Sequence, residues 1–225
     1  LFEYFDNELE IDFKLTDGAS VKPGDVAFIV YGKVRSLLQA ERLVLNIMQR
    51  MSGIATTTNS YVRLLEGTKA KVLDTRKTTP GMRMLEKEAV KIGGGVNHRI
   101  GLFDMILLKD NHVDFAGGIE NAITGAQDYL KSNNKSLKIE IEVRNFDELS
   151  QVLSVGGVDR IMLDNFTPEQ TAEAVGVVAG RVEVESSGGI TFDTIRSYAE
   201  CGVDYISVGA LTHSVKSLDM SFKAI

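Results

Sequence analysis

The chain has 225 residues, 44% hydrophobic and 25% charged, with only three prolines; this composition supports a sizeable folded core and excludes disordered and collagen-like classes. A formal net charge of −6 leaves no general basic footprint, so nucleic acid and anionic membrane surfaces are poor partners and any anionic ligand must be met by local cations. No apolar run reaches the roughly 18 residues of a membrane span, no stretch reads as a signal peptide, and the single cysteine, Cys201, suits a reducing cytoplasm.

The chain opens on Leu1 rather than Met, as a trimmed product would. From Glu8 to Val34 the pattern is short and alternating, ELEIDFKL and VAFIVYGKV around the turn-rich TDGASVKPGD, which predicts β structure. ERLVLNIMQRMSGIATTTNSYVRLLEGT follows with apolar residues three and four apart, a helix expected to stop near Gly67 and to bend or break at Ser52-Gly53. Beyond Lys69, strand-like runs alternate with helical patterns. VLDTR, DMILLKD, KIEIEVRN, DRIMLDN, RVEVESSGG and DYISVGA give six strand candidates, the last four spaced by roughly 20 residues. Such βα units predict a parallel sheet, and their regular succession favours a barrel over an open sheet.

Polar residues gather at the C-terminal ends of these strands: Arg76 and Lys77, Lys109 to His112, Glu142 and Arg144, Asp164, Ser186 and Ser187, and Gly209. In a βα barrel that rim binds ligands. In LDTRKTTPG, Thr79 can cap a helix beginning at Pro80, but capping leaves Arg76 and Lys77 unexplained; side by side they suit a carboxylate or phosphate better than they suit a solvated charge pair. GGGVNHR offers a helix stop at Gly93 and glycines that permit tight packing. His98-Arg99, followed one strand later by KDNH, predicts a cationic surface; a metal held by His98 and His112 is a weaker alternative, because their spacing is not that of ligands.

Glu142 and Asp164 occupy equivalent late positions in successive strands. Inward-facing carboxylates there must be hydrated, paired with cations such as Lys109 or Arg144, or bridged to Mg²⁺. ESSGGI and SVGALTHS end the last two strands in small residues, as phosphate-binding loops do.

Taken together, TRKTTPGMRMLEKEAVKIGGGVNHRIGLFDMILLKDNH, with ERLVLNIMQRMSGIAT before it and EIEV, MLDNF, ESSGGI and SVGALTHS after it, closely resembles the quinolinate phosphoribosyltransferases. The likeness runs from about Glu8 to the C-terminus, and TRKT, NHR and KDNH in that order are highly specific. It implies an α/β architecture: an open or incomplete TIM-like βα barrel of the type II phosphoribosyltransferase kind over residues 69–213, with a partial N-terminal α/β sandwich domain over 1–40. A connecting helical segment is implied at 41–68, and a C-terminal tail over 214–225 that returns toward the N-terminal domain. It also implies transfer of phosphoribosyl from phosphoribosyl pyrophosphate to quinolinate with decarboxylation, in NAD biosynthesis, with Mg²⁺ as cofactor.

By motif, Arg76, His98, Arg99 and Lys109 would hold the quinolinate carboxylates, joined by Arg42 from the other subunit of a homodimer with shared active sites; higher oligomers are left open. Lys77, Glu142 and Asp164 would face ribose, pyrophosphate and Mg²⁺, with Lys109, Glu142 and Asp164 the catalytic group. Ser187, Gly188, Gly209 and His213 would line the 5′-phosphate site. Two other readings remain at this point. A nicotinate phosphoribosyltransferase shares the architecture but needs fewer cations for its monocarboxylate, and a binding protein of the same fold, or a biotinyl-like or lipoyl-like carrier suggested by TDGASVKPGDVAFIVYGK, would be non-catalytic.

Overall fold

The computed structural model describes residues 1–225. A short helix α1 (Phe2–Phe5) precedes an antiparallel pair, β1 (Glu10–Phe13) and β2 (Phe28–Tyr31), with Glu10 opposite Tyr31. Phe2, Leu9, Ala40 and Val44 form a small core here, and Phe222 of the C-terminal segment packs against it. The chain then enters α2 (Val34–Leu64), 31 residues without a break.

Two expectations change at this helix. It begins at Val34, seven residues ahead of the expected connecting segment, because the chain already turns at Gly32 (φ +148) after β2. It also runs straight through Ser52-Gly53. The glycine serves packing instead: a Cβ at Gly53 would lie 2.4 Å from the Lys216 carbonyl oxygen, so its absence lets the C-terminal segment cross the helix.

The remaining elements alternate: β3 (Lys71–Leu73), α3 (Arg83–Ile92), β4 (Ile106–Leu108), α4 (Asp110–Ala116), α5 (Ile119–Ser132), β5 (Ile139–Val143), α6 (Phe146–Val155), β6 (Arg160–Asp164), α7 (Pro168–Val178), β7 (Glu183–Ser187), α8 (Ile195–Glu200), β8 (Tyr205–Ser207) and α9 (Ala210–His213). All six strand candidates are present, in one parallel sheet of order β3-β8-β7-β6-β5-β4. β3 and β4 are its two edges, so the barrel is not closed. Beside β3 the missing neighbour is supplied by one residue, Val96, whose N–H donates to the Val72 carbonyl at 2.8 Å while its own carbonyl accepts from Asp74 N–H at 3.2 Å.

Period-two alternation divides the strands into two faces. Ile139, Ile141, Val143, Ile161, Leu163, Val184 and Ile206 point outward into the 31-residue core shared with the helices, where each fully buried aliphatic contributes about 1.5–3 kcal/mol. The opposite face carries Glu140, Glu142, Arg160, Asp164, Glu185, Ser187 and Ser207, with Glu140 opposite Arg160 and Asp164 opposite Ser187. This sheet therefore encloses a charged interior. Ser186, expected among the polar rim residues, falls on the outward face and is buried there.

The helix expected at Pro80 begins instead at Arg83. Thr79 is engaged elsewhere, its N–H donating to Glu86 Oε2 at 3.1 Å and its hydroxyl accepting from Arg50 at 2.7 Å. The three glycines closing α3 do permit tight packing: a Cβ at Gly93 would stand 2.4 Å from Ala55 O, and one at Gly95 would stand 2.8 Å from Thr58 Cγ2. Gly94, at φ +90, makes the turn. Cys201 closes α8, its thiol donating to the Pro168 and Ser197 carbonyls at 3.1 Å.

Candidate active site

The C-terminal rim is built around one buried network. Asp74, just past β3, is fully buried; its Oδ1 accepts from Lys87 Nζ at 2.5 Å and from the His98 N–H at 2.8 Å. Lys87 also donates to the His98 carbonyl at 2.9 Å. Asn97, its amide nitrogen turned inward, reaches Asp74 Oδ2 and the Lys87 carbonyl, both at 2.8 Å. Burial pushes the Asp74 carboxyl up and the Lys87 ammonium down, but losing either partner would leave the other buried and unpaired, at a cost of about 3–5 kcal/mol. The pair thus fixes the NHR segment against the end of β3.

Arg99 projects from that segment. Its Nη1 donates to the Met105 carbonyl at 3.3 Å, and burial followed by the nearby charge of Arg76 lowers its pKa. Two guanidinium groups repelling one another at a rim are a site prepared for an anion. Lys109 stands at the end of β4, with Nζ 2.7 Å from Glu142 Oε2. Arg144 does not join this pair; it turns outward to Glu148 and Asp114 at 2.6 and 3.1 Å. His112 does not join His98 either. Its Nδ1 accepts from the Lys109 N–H at 2.9 Å, which turns the ring back onto the backbone at the start of α4.

His98, expected to hold a substrate carboxylate, has both ring nitrogens turned to the protein. Nδ1 accepts from the Arg99 N–H at 2.7 Å, and Nε2 lies 2.9 Å from Glu140 Oε2 and 3.6 Å from Glu185 Oε2 without hydrogen-bond alignment. Burial lowers the imidazole pKa. Below it, burial and then the neighbouring Glu140 charge push Glu185 up to about 8, and Glu140 is likewise raised by burial. Arg160 holds this floor together: it donates to Glu185 Oε2 at 3.0 Å and to Glu183 Oε2 at 3.2 Å and stacks on the Tyr205 ring at 3.9 Å. The ligand atoms of His98, Glu140 and Glu185 lie within 4.8 Å of one another, but Arg160 already occupies the cation's place beside Glu185.

The other half of the rim is lined by small residues. Gly209 lies under two side chains, since a Cβ there would stand 3.0 Å from the His213 ring and 3.4 Å from Lys77 Cδ. Gly188 has φ +95, and a Cβ there would lie 2.2 Å from Asn165 Oδ1, so only glycine fits beside the end of β6. Ser187 is the register partner of Asp164. Lys77, His213 and Gly209 therefore form one group beyond β3 and β8, with Ser187, Gly188 and Asp164 a second group at the ends of the neighbouring β7 and β6. Arg42 belongs to neither. Its side chain is 72% exposed on α2 and meets only Glu41, at 4.0 Å.

Glu142 and Asp164 end adjacent strands, and each retains oxygen beyond its present contact: Glu142 accepts from Lys109, Asp164 from Asn165 Nδ2 at 2.8 Å. Hard carboxylate oxygens of this number suit Mg²⁺, which commonly takes one or two carboxylates along with water and substrate phosphate. Sequence reasoning missed Asp74, Lys87, Glu140, Arg160 and Glu185. Charges at alternate positions inside otherwise apolar strands, as in IEIEV and RIMLD, were the available signal.

The family model of the quinolinate phosphoribosyl transferase C-terminal domain matches residues 54–223, and that of the N-terminal domain matches residues 1–52. The chain belongs to the quinolinate phosphoribosyl transferase family. A relative from Nicotiana tabacum, quinolinate phosphoribosyltransferase [decarboxylating] 1b, is 43% identical over 99% of this chain and 67% of the relative. A Bacillus subtilis relative, a probable nicotinate-nucleotide pyrophosphorylase [carboxylating], is 42% identical over 98% of this chain and 75% of its own length. Among solved structures, NadC from Streptococcus pyogenes superposes with a TM-score of 0.92 at 43% identity, covering 99% of this chain and 78% of that one. The six-stranded open barrel and small antiparallel sheet are thus this family's architecture.

Proposed function

We propose that this member of the family transfers the phosphoribosyl group of phosphoribosyl pyrophosphate to quinolinate, releasing pyrophosphate and CO₂ and forming nicotinate mononucleotide for NAD biosynthesis. The observation that carries this reading is the division of one rim into two unlike halves. Arg76, Arg99 and Lys109 offer three cations at the β3 and β4 edges, enough for a ring with two adjacent carboxylates. Lys77 and His213 over Gly209, together with the Ser187-Gly188 turn, offer a lysine, an imidazole and small residues for phosphate.

In this reading Arg76, Arg99 and Lys109 orient the pyridine so that its nitrogen faces the ribose C1′, an alignment worth several powers of ten in rate. His98 supports them from below, fixed by the Arg99 N–H. Glu142 and Asp164 stabilise the positive charge that develops on C1′ as pyrophosphate departs. Mg²⁺ held near these two carboxylates would neutralise the leaving pyrophosphate. Once the nitrogen bears the ribosyl group, the cationic ring stabilises the electron pair left on C2 as CO₂ departs, a proton from solvent then completes the C2–H bond of nicotinate mononucleotide, and no protein nucleophile is required.

The working unit in this proposal is a homodimer. Val34, Leu38 and Arg42 follow one another at four-residue spacing on α2, all exposed, so an apolar ridge ends in a guanidinium. Exposed Leu102 and Phe103 follow Arg99, and exposed Phe115 follows Lys109. A second copy laying its α2 ridge over these residues would cover both patches and bring its Arg42 to the quinolinate half. No helix is long and apolar enough to cross a membrane, and the single free thiol fits a cytoplasmic setting; compartments named for plant relatives, chloroplastic and mitochondrial, are theirs.

The test is an assay containing quinolinate, phosphoribosyl pyrophosphate and Mg²⁺ that follows mononucleotide and CO₂ together. Equimolar appearance of both is expected. Turnover of nicotinate in place of quinolinate would overturn the assignment.

A further inference from the structure

Arg50, on the inner flank of α2, is bonded to both segments that carry Lys77 and His213, although neither of these side chains touches it. Its Nε donates to Glu86 Oε1 at 2.7 Å, and one terminal nitrogen donates to Thr79 Oγ1 at 2.7 Å and to the Thr212 carbonyl at 3.1 Å. Glu86 is fully buried on α3 and takes the Thr79 N–H on its second oxygen at 3.1 Å. The circuit is closed by Thr212, whose hydroxyl donates to the Lys77 carbonyl at 3.0 Å. Thr79 lies two residues after Lys77, and Thr212 immediately precedes His213.

What this arrangement supplies can be separated from plain adhesion. Apolar side chains would hold α2 against α3 at least as well as a buried ion pair. A guanidinium adds several donors at fixed angles, here spent on two segments with little structure of their own: the irregular stretch 74–82 and the four-residue helix α9. A second arginine serves the opposite half. Arg83 donates to the carbonyls of Arg76 and Ile100 at 3.3 and 3.1 Å and to Thr78 Oγ1 at 3.1 Å, tying the Arg76 loop to the Arg99 segment.

We propose that Arg50, oriented by Glu86, is a positioning residue that sets Lys77 and His213 relative to one another, and so governs engagement of phosphoribosyl pyrophosphate without contacting it. The inference rests on the phosphoribosyl-transfer reading given above. Arg83 is the matched comparison, because its contacts lie on the quinolinate side.

The experiment compares wild type, Arg50→Lys, Thr79→Val and Arg83→Lys by steady-state kinetics for each substrate, with thermal unfolding of each protein. A lysine keeps the charge but cannot reach three acceptors; the valine removes only the hydroxyl that Arg50 grips. Displacement of a binding group by a fraction of an ångström to an ångström costs up to about a hundredfold. Arg50→Lys and Thr79→Val are therefore expected to raise KM for phosphoribosyl pyrophosphate by about tenfold or more, with KM for quinolinate within about twofold of wild type. Arg83→Lys should show the opposite preference. Equal weakening of both substrates, or a lowered Tm with unchanged KM values, overturns the proposal, as does wild-type behaviour of the two phosphate-side variants. If Arg50→Lys fails to fold, Thr79→Val decides by the same readout. A wild-type protein inactive on these substrates would sink the functional reading first and this proposal with it.

Discussion

Lys109 Nζ stands 2.7 Å from Glu142 Oε2, joining the end of β4 to the end of β5 across the rim. The lysine is close to half exposed, so in the free chain the pair is worth about 1 kcal/mol at most. Once a dicarboxylate excludes water the same ammonium counts for more. Lys109→Ala and Arg99→Ala are each expected to lower kcat/KM by about 2–5 kcal/mol equivalent, while Tm of Lys109→Ala changes little. Near-normal turnover by Arg99→Ala would remove it from the carboxylate cradle.

Glu142→Gln and Asp164→Asn separate a catalytic role from a structural one. Both should slow turnover and weaken the dependence on Mg²⁺ and phosphoribosyl pyrophosphate, leaving quinolinate binding close to wild type. Titration calorimetry with each ligand is the check. Loss of thermal stability with unchanged kinetics would mark them as fold residues.

Subunit complementation follows from the isolation of Arg42. Mixing inactive Arg42→Ala with inactive Lys109→Ala protein should restore activity, since a heterodimer assembles one site with both wild-type residues and one with neither. Independent sites limit recovery to about half per heterodimer. No recovery after demonstrated subunit exchange would confine Arg42 to its own chain.

Gly93→Ala isolates packing from catalysis. The glycine has an ordinary helical φ of −74, so no backbone freedom is lost; the added methyl would meet Ala55 O at 2.4 Å and Thr58 Cβ at 2.7 Å. Overpacking of this kind costs about 1–3 kcal/mol. Denaturant unfolding should show it, and an unchanged midpoint would mean that α2 and α3 are free to separate.

Glu185 gives the fold a pH dependence of definite sign. Its carboxyl is raised from the ordinary 4.5 to about 8, so the folded chain holds a proton that the unfolded chain releases between these values. The associated stability is complete below the unfolded pKa and is lost as pH rises toward and through about 8. Glu185→Gln cannot ionise. The Tm difference between variant and wild type should therefore move in favour of the variant from about pH 5 to about pH 9; a constant difference would place the proton elsewhere.

Much of this architecture was legible because it rests on period. IEIEV alternates aliphatic with polar residues and RIMLD departs from this only at Met162, and that period assigns Ile141 and Leu163 to the helical side and Glu142 and Asp164 to the interior; EVESS breaks it at Ser186. Other features rest on pairs far apart in sequence, which no local pattern records. Arg50 meets Glu86 across 36 positions and the Thr212 carbonyl across 162, so the capacity of Thr79 to start a helix was visible while its prior engagement was not. His98 was read as part of a cationic surface; its burial, which lowers its pKa, depends on elements brought together only in the fold.

The uninterrupted course of α2 makes sequence spacing into a ruler. Arg42 and Arg50 share one rigid rod, and each residue along it advances by about 1.5 Å and turns by about 100°. A single residue inserted between them would leave Arg50 seated on Glu86 but turn the whole Val34, Leu38 and Arg42 ridge by about 100° relative to it. Substitutions on the outer face can be absorbed one at a time, whereas a change of length cannot. The stretch from Arg42 to Arg50 is thereby held to a fixed phase, and lineages that alter its composition freely should still preserve its count.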